Sequence, residues 1–301
     1  MKTAIKVVLV VACLSAFGCS KKPAPVAQDT SAVTPVASPA QTTAGKAVAF
    51  RVPAESEITD TITLASIRRG RALLRNTHDS LPHNVGARLN CVNCHTQDGT
   101  LANGMPLVGV YSRFPQYRAR SGRIDLLEDR INDCFERSMN GKAISNNSSE
   151  MRDMVTYMAF LSRGFPPGSE MKGQGVPKLD PVPGDTARGH QVFLENCARC
   201  HNPDGGGNSA VPPLWGKESY NIGAGMARIR TAAAFIHQVM PLDKPGTLTP
   251  QQAFDVATYI NTRPRPDFKG KERDWPRGGA PPDVAYPTLA AKKTAGGSAP
   301  R

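Results

Sequence analysis

The pentapeptide CVNCH at positions 91–95 and its counterpart CARCH at 197–201 constrain this 301-residue chain more than any other feature. A C-x-x-C-H run is the attachment site of a c-type haem. Its two thiols form thioethers to the macrocycle's vinyl groups, and the adjoining histidine gives iron its proximal ligand. Cys91, Cys94, Cys197 and Cys200 are therefore expected to attach two covalent haem c groups, with His95 and His201 on the irons. A structural disulfide or a zinc pair is the rival reading, and zinc would want further Cys or His ligands grouped nearby.

Each motif sits inside a longer repeat. RRGRALLRN, from Arg68 to Asn76, precedes the first motif, and ARGHQVFLEN runs straight into the second, each with apolar residues spaced for one helical face. Downstream, SSEMRDMVTYMAFLSR and LTPQQAFDVATYINTR each start with a Ser or Thr able to cap a helix and continue with apolar residues at helical spacing. The two sets resemble the N-terminal and C-terminal helices of a cytochrome c domain. The expectation is an all-α fold of two cytochrome c-like domains, 48–165 and 185–265. The Pro/Gly-rich stretch before residue 185 lacks periodicity and reads as an extended linker over 166–184. A Pro-rich basic tail, 266–301, wraps over the surface or is disordered.

The first residues, MKTAIKVVLVVACLSAFGC, have a lysine-bearing start and an apolar run short for a membrane span, which reads as an export signal over 1–19. AFGC loosely resembles a lipobox, so Cys19 is a candidate lipid anchor, with ordinary signal cleavage as the alternative. Residues 20–47, rich in Pro, Ala, Ser, Thr and Val, read as a flexible tether. The expected location is the periplasm, on the membrane through Cys19. The formal net charge of +12 can attract nucleic acid, anionic lipid or small anions. An exported protein seldom meets nucleic acid, which leaves small anions, acidic protein partners, the membrane surface, or solubility alone.

Reactivity is decided by the sixth ligand of each iron. In the second repeat Met240, followed by Pro241, lies between the haem motif and the last helix, with His237 as rival. Met240 lies 19 residues before Tyr259; in the first repeat Met139 lies 18 before Tyr157 and Cys134 lies 23 before. Spacing thus prefers Met139 and leaves Cys134 as a small buried residue. If Ile124 to Ser138 is helical, Leu127, Ile131 and Phe135 form a core stripe, and Arg130, Cys134 and Ser138 the next stripe round. A thiol beside a guanidinium is biased toward thiolate, the metal-binding and nucleophilic form. Cys134 and Met139 therefore remain rivals. Arg113 and Arg118 are candidate anion ligands or solvated arginines, His78 and His83 are either first-haem ligands or, since they precede the attachment motif in a loop, surface or outer-shell residues, and Trp215 is a packing residue near the second haem.

RINDCFERSMNGK, with the two haem motifs, the upstream Arg120 and the Met240-Pro241 loop, resembles the dihaem thiosulfate dehydrogenase family, related to the Cys-ligated sulfur-oxidising cytochromes. The likeness covers about residues 48–265. It implies that Cys134 is the distal ligand of the first haem and the reaction centre, that Arg120 and Arg130 hold substrate, and that Ser138 assists. It implies oxidation of two thiosulfates to tetrathionate, in either direction, with electrons leaving through the second haem. The acceptor would be a soluble or membrane cytochrome c or another respiratory-chain component. Some members carry a lysine before the second methionine; here that position is Val239, which favours His/Met ligation. The competing class is a non-catalytic c4-like electron carrier with His/Met ligation at both haems.

Overall fold

The computed structural model describes residues 48–290. The export signal, Cys19 and the tether lie outside the described residues. Among the described residues no helix is long and apolar enough to cross a membrane.

The repeat in the sequence is a repeat in space. Helix α1 (Thr61–Arg75) begins where Asp60 accepts from Thr63 N at 2.7 Å. A later helix, Ser149–Phe160, begins where Ser148 accepts from Met151 N. These two cross and carry the first core, with Ile67, Leu74, Met151, Met154 and Tyr157 buried between them. In the second repeat Thr186–Asn196, capped by Asp185, crosses Pro250–Asn261, which starts with a Thr249–Gln252 capping box and proline in its first turn. Phe193, Phe254, Val256 and Tyr259 fill the second core.

Both crossings use the same device. A Cβ on Gly70 would stand 2.1 Å from Asp153 O, and one on Gly189 would stand 2.1 Å from Asp255 O, so only glycine lets the helices meet at that distance. Beside each glycine an arginine reaches the aspartate of the partner helix. Arg69 donates to both Asp153 oxygens at 2.7 and 2.9 Å, and Arg188 to both Asp255 oxygens at 2.8 and 2.9 Å. Burial pushes each carboxyl pKa up, but these charge-assisted bonds, with Ser66 on Asp153 and Gln251 on Asp255, outweigh it and hold both below the ordinary 3.8.

Between the first pair of helices the chain departs from the expected single helix over 124–138. Strands β1 (Gln116–Arg118) and β2 (Arg123–Asp125) pair as an antiparallel hairpin, and Ile124 is exposed. The turn is set by Asp125, buried and accepting from Ser121 and Arg123. Helix α2 (Leu127–Asp133) starts only after it, where Asp129 reaches back to Leu126 N at 2.9 Å. From Cys134 to Ser138 the helix widens to π geometry, with Met139 N donating to Cys134 O at 2.8 Å. Leu127, Ile131 and Phe135 are all buried, as their spacing predicts. In chain order the remaining long helices are α3 (Ser149–Phe160), α4 (Thr186–Asn196), α5 (Ile229–Val239) and α6 (Pro250–Asn261).

The Pro/Gly-rich stretch before α4 is laced to the first repeat: Met171 is buried there, and Gly173 O and Gly175 O accept from Asn103 N and Met105 N. The two repeats also share a core, because Tyr220, Ala224 and Ala227 pack with the first set of helices. Asn221, 2% exposed, donates through Nδ2 to Glu136 O at 2.8 Å and through its backbone N to Arg137 O at 3.2 Å, fixing the carbonyls of the π turn from the second repeat.

Gly189→Ala is expected to destabilise the protein by about 1–3 kcal/mol, the usual size of an overpacking defect, read as a lower midpoint in urea unfolding of the haem-loaded chain. Asp153 and Asp255 have depressed folded pKa values, so their contribution is fully present above 3.8 and is lost as pH falls through the lower folded values. Acid unfolding of Asp255→Asn should show a shallower pH dependence than wild type across that window.

Candidate functional site

The two attachment histidines share one arrangement. His95 Nδ1 lies 2.6 Å from Met105 O, and His201 Nδ1 lies 2.9 Å from Pro212 O. A carbonyl only accepts, so each ring donates from Nδ1 and keeps Nε2 for a metal. None of Cys91, Cys94, Cys197 and Cys200 is in a disulfide. Burial pushes the Cys91 and Cys94 thiols up to about 11 and about 12.

Cys91, Cys94 and His95 open onto a cavity of about 820 Å³ whose remaining walls include Leu74, Leu107, Leu127, Ile131 and Met154. An apolar slot edged by paired free thiols and a histidine with a preset tautomer fits a covalent haem c. Cys134, Ser138 and Met139 also line this cavity. The two rivals for the iron thus face the same space in different settings. Met139 is 4% exposed, and its carbonyl accepts from Gly86 N and Ala87 N at 3.0 and 2.8 Å. Cys134 is half-buried, and Arg130 Nη1 donates to its Sγ at 2.7 Å. Burial raises the Cys134 thiol pKa, but the neighbouring Arg130 charge overcomes it and, with His95 alongside, the group comes down to about 6. Alone among the first repeat's cysteines, it is shifted toward the thiolate form.

Arg130, His95 and Ser138 also border a second cavity of about 1370 Å³. Six arginines line it: Arg113, Arg118, Arg120, Arg130, Arg137 and Arg228. Three carboxylates oppose them. Asp133 is on the wall, Asp125 stands 3.4 Å from Arg118, and Asp274 pairs with Arg137. Positive charge is therefore in excess. Burial and the neighbouring Arg137 charge lower Arg120 to about 10, and burial and Arg130 lower Arg118, so the guanidinium groups oppose one another's charge. Arg228 makes no ion pair among the described residues, and its Nε is buried without a hydrogen-bond partner. A buried donor left unmatched costs about 1–3 kcal/mol.

Arg120, Arg130, Cys134 and Ser138 therefore share one contiguous site, although Arg120 lies outside the helix that carries the others. Arg113 and Arg118 join them as cavity residues. His78 Nδ1 lies 3.0 Å from Ala87 O, and neither it nor His83 lines the haem-facing cavity. Arg137, Arg228 and Trp275 also line the second cavity, beyond the residues that sequence spacing singles out. Arg137 stands inside the RINDCFERSMNG run, so the run itself was the available signal, whereas nothing local marks Arg228 or Trp275.

In the second repeat, Met240 caps the C-terminus of α5 and packs against the second core, as do Cys197, Leu214 and Trp215. Trp215 meets Phe193 and Tyr259 with ring centroids at 5.2 and 5.8 Å. His237 Nδ1 lies 2.7 Å from Leu248 O.

Two family models match the chain: SoxA/TsdA, cytochrome c domain, over residues 84–166, and cytochrome c oxidase, cbb3-type, subunit III, over residues 184–260. The thiosulfate dehydrogenase of Psychrobacter arcticus is 41% identical over 267 residues, covering 86% of this chain and 80% of the relative. That of Allochromatium vinosum is 44% identical over 234 residues, covering 74% of this chain and 86% of the relative. Among solved structures, thiosulfate dehydrogenase (TsdBA) from Marichromatium purpuratum matches with a TM-score of 0.72 at 34% identity, over 79% of this chain and 55% of that longer one. This chain thus spans about half the length of that solved protein. With two cytochrome c domains that each bind a covalent haem c, the chain belongs to the thiosulfate dehydrogenase family.

Proposed function

We propose that this protein oxidises two thiosulfate anions to tetrathionate beside a His95/Cys134-ligated haem and exports the electrons through a His201/Met240-ligated one. The observation that carries the reading is the 2.7 Å contact from Arg130 to the Cys134 thiolate, at the junction between the haem-facing cavity and the arginine-lined one. Coupling two thiosulfates requires bringing two dianions together while two electrons leave. Guanidinium groups bind sulfonate oxygens by forked, charge-assisted hydrogen bonds, and Arg120 and Arg130 are offered to a bound anion in this role. Each haem c, when bound, supplies a one-electron acceptor, so the pair matches the two electrons released.

The chemistry assigned to the chain falls on Cys134. Its thiolate sulfur forms a bond to the sulfane sulfur of one thiosulfate, giving a cysteine S-thiosulfonate as two electrons leave. A second thiosulfate then attacks the substrate-derived sulfane sulfur, displacing the Cys134 thiolate and releasing tetrathionate. No proton need be gained or lost, because cysteine begins and ends as thiolate. Arg130 stabilises that leaving thiolate, and the Ser138 hydroxyl is placed to assist. Val239, 1% exposed, offers no amine to compete with Met240. The electron acceptor is proposed to be a cytochrome c or another respiratory-chain component, and the location the periplasm, with Cys19 as a lipid anchor.

The test is a thiosulfate-plus-ferricyanide assay with tetrathionate quantified. Cys134→Gly is expected to abolish tetrathionate formation while both haems stay attached, and to remove the narrow g-spread of a thiolate-ligated haem from the EPR spectrum. Near-normal turnover would sink the mechanism, and a His/Met-type spectrum at both haems of the wild type, without tetrathionate, would leave an electron carrier. Arg130→Leu is expected to raise the KM for thiosulfate by about tenfold, the size of one lost charge-assisted hydrogen bond, with the thiolate signature lost on acidification at a higher pH than in wild type.

A further inference from the structure

The second family match ends at residue 260, yet chain beyond it builds part of the arginine cavity. Trp275 lines the cavity, donates from its backbone N to Arg120 O at 2.9 Å, and carries the Arg120 guanidinium 4.6 Å over its ring. Its neighbour Asp274 is 5% exposed and accepts from Arg137 Nη1 and Nη2, both at 2.9 Å. Tyr286 OH donates to the same carboxylate at 2.6 Å, and Arg120 Nε stands 3.5 Å from it. Phe268 lies under the Arg137 guanidinium at 4.2 Å. Two arginines of the cavity therefore take their orientation from one carboxylate that lies behind the wall.

We propose that Asp274 is a positioning residue for the substrate anion: the segment after the last haem-domain helix returns to the first haem domain and fixes Arg137 and Arg120 in the poses from which they bind thiosulfate. This inference rests on the thiosulfate reading of the cavity. Guanidinium side chains have many rotamers, and an anion site made of mutually repelling cations would splay them apart unless something held them. Asp274 holds two at once, while Tyr286, Trp275 and Phe268 hold Asp274 and the guanidinium planes. Charge alone points the other way. A carboxylate near an anion site repels the anion, so removing it would tighten binding if its charge were what mattered. Orientation and charge thus predict opposite signs for the same substitution.

The experiment uses the full-length dihaem protein and Asp274→Asn, which keeps the shape and removes the charge-assisted bidentate contact. With thiosulfate as substrate, KM is expected to rise by about tenfold, as for loss of one charge-assisted hydrogen bond, with kcat within about twofold and the haem EPR signals unchanged. A lowered KM would show Asp274 to be a suppressor of charge and overturn the proposal. An unchanged KM would overturn it equally, leaving a purely structural contact. If Asp274→Asn does not accumulate as dihaem protein, Tyr286→Phe decides the matter, since it removes only the hydroxyl that orients the carboxylate. A raised KM there supports the proposal and an unchanged one overturns it. Wild type that turns over no thiosulfate in the same assay would remove the reading on which the inference stands.

Discussion

Each half of this molecule depends on one close crossing of two helices, made at a glycine and pinned by an arginine that crosses to an aspartate. Gly70 with Arg69 and Asp153, and Gly189 with Arg188 and Asp255, are the same construction used twice. Glycine removes the side chain that would hold the backbones apart, and the ion pair beside it fixes the register at which they touch. The helices then present Leu74, Met154 and Met158 to the haem-facing cavity of the first half. A cavity of that kind persists only if its walls are held from outside, because apolar surfaces facing a void would otherwise close upon each other.

The first half modifies this shared plan at one place. The insertion between its two crossing helices folds as a hairpin and then as a helix that turns π at Cys134. A π turn is less favourable than an α turn and persists where other contacts fix it. Here Asn221 binds the carbonyls of Glu136 and Arg137 from the second half, so the conformation of the Cys134 segment belongs to both halves together. The same segment carries Arg130 on one side and Arg137 on the other, which joins the haem-facing cavity to the arginine-lined one.

Electrostatics explains why these side chains behave unlike their relatives nearby. Burial without a neighbouring cation raises the Cys91 and Cys94 thiols, whereas the Arg130 charge beside Cys134 outweighs burial and lowers that one. The arginines press on one another, and the carboxylates that relieve them lie to the side or behind. The centre of the cavity is left with positive charge in excess.

The sequence by itself determined what is local or repeated. The haem motifs follow from two short runs of cysteine and histidine, the helices from apolar spacing and, for the two downstream ones, from caps at Ser148 and Thr249, and the duplication from matching those patterns. Leu127, Ile131 and Phe135 were legible as core because three residues at helical spacing share a face wherever the helix begins. The start of that helix was not legible. It depends on Asp125 being buried with Ser121 and Arg123, contacts that periodicity does not encode. The choice between Cys134 and Met139 likewise stayed open to counting, since both positions point into one cavity and differ in the charges facing them. Only the tertiary structure brought Arg228 and the chain from Phe268 to Tyr286 to the first haem domain. Asp274 and Phe268 meet Arg137, and Trp275 meets Arg120, across more than a hundred residues of sequence, and contacts of that range leave no pattern in a local stretch of chain, because packing and not backbone periodicity selects them.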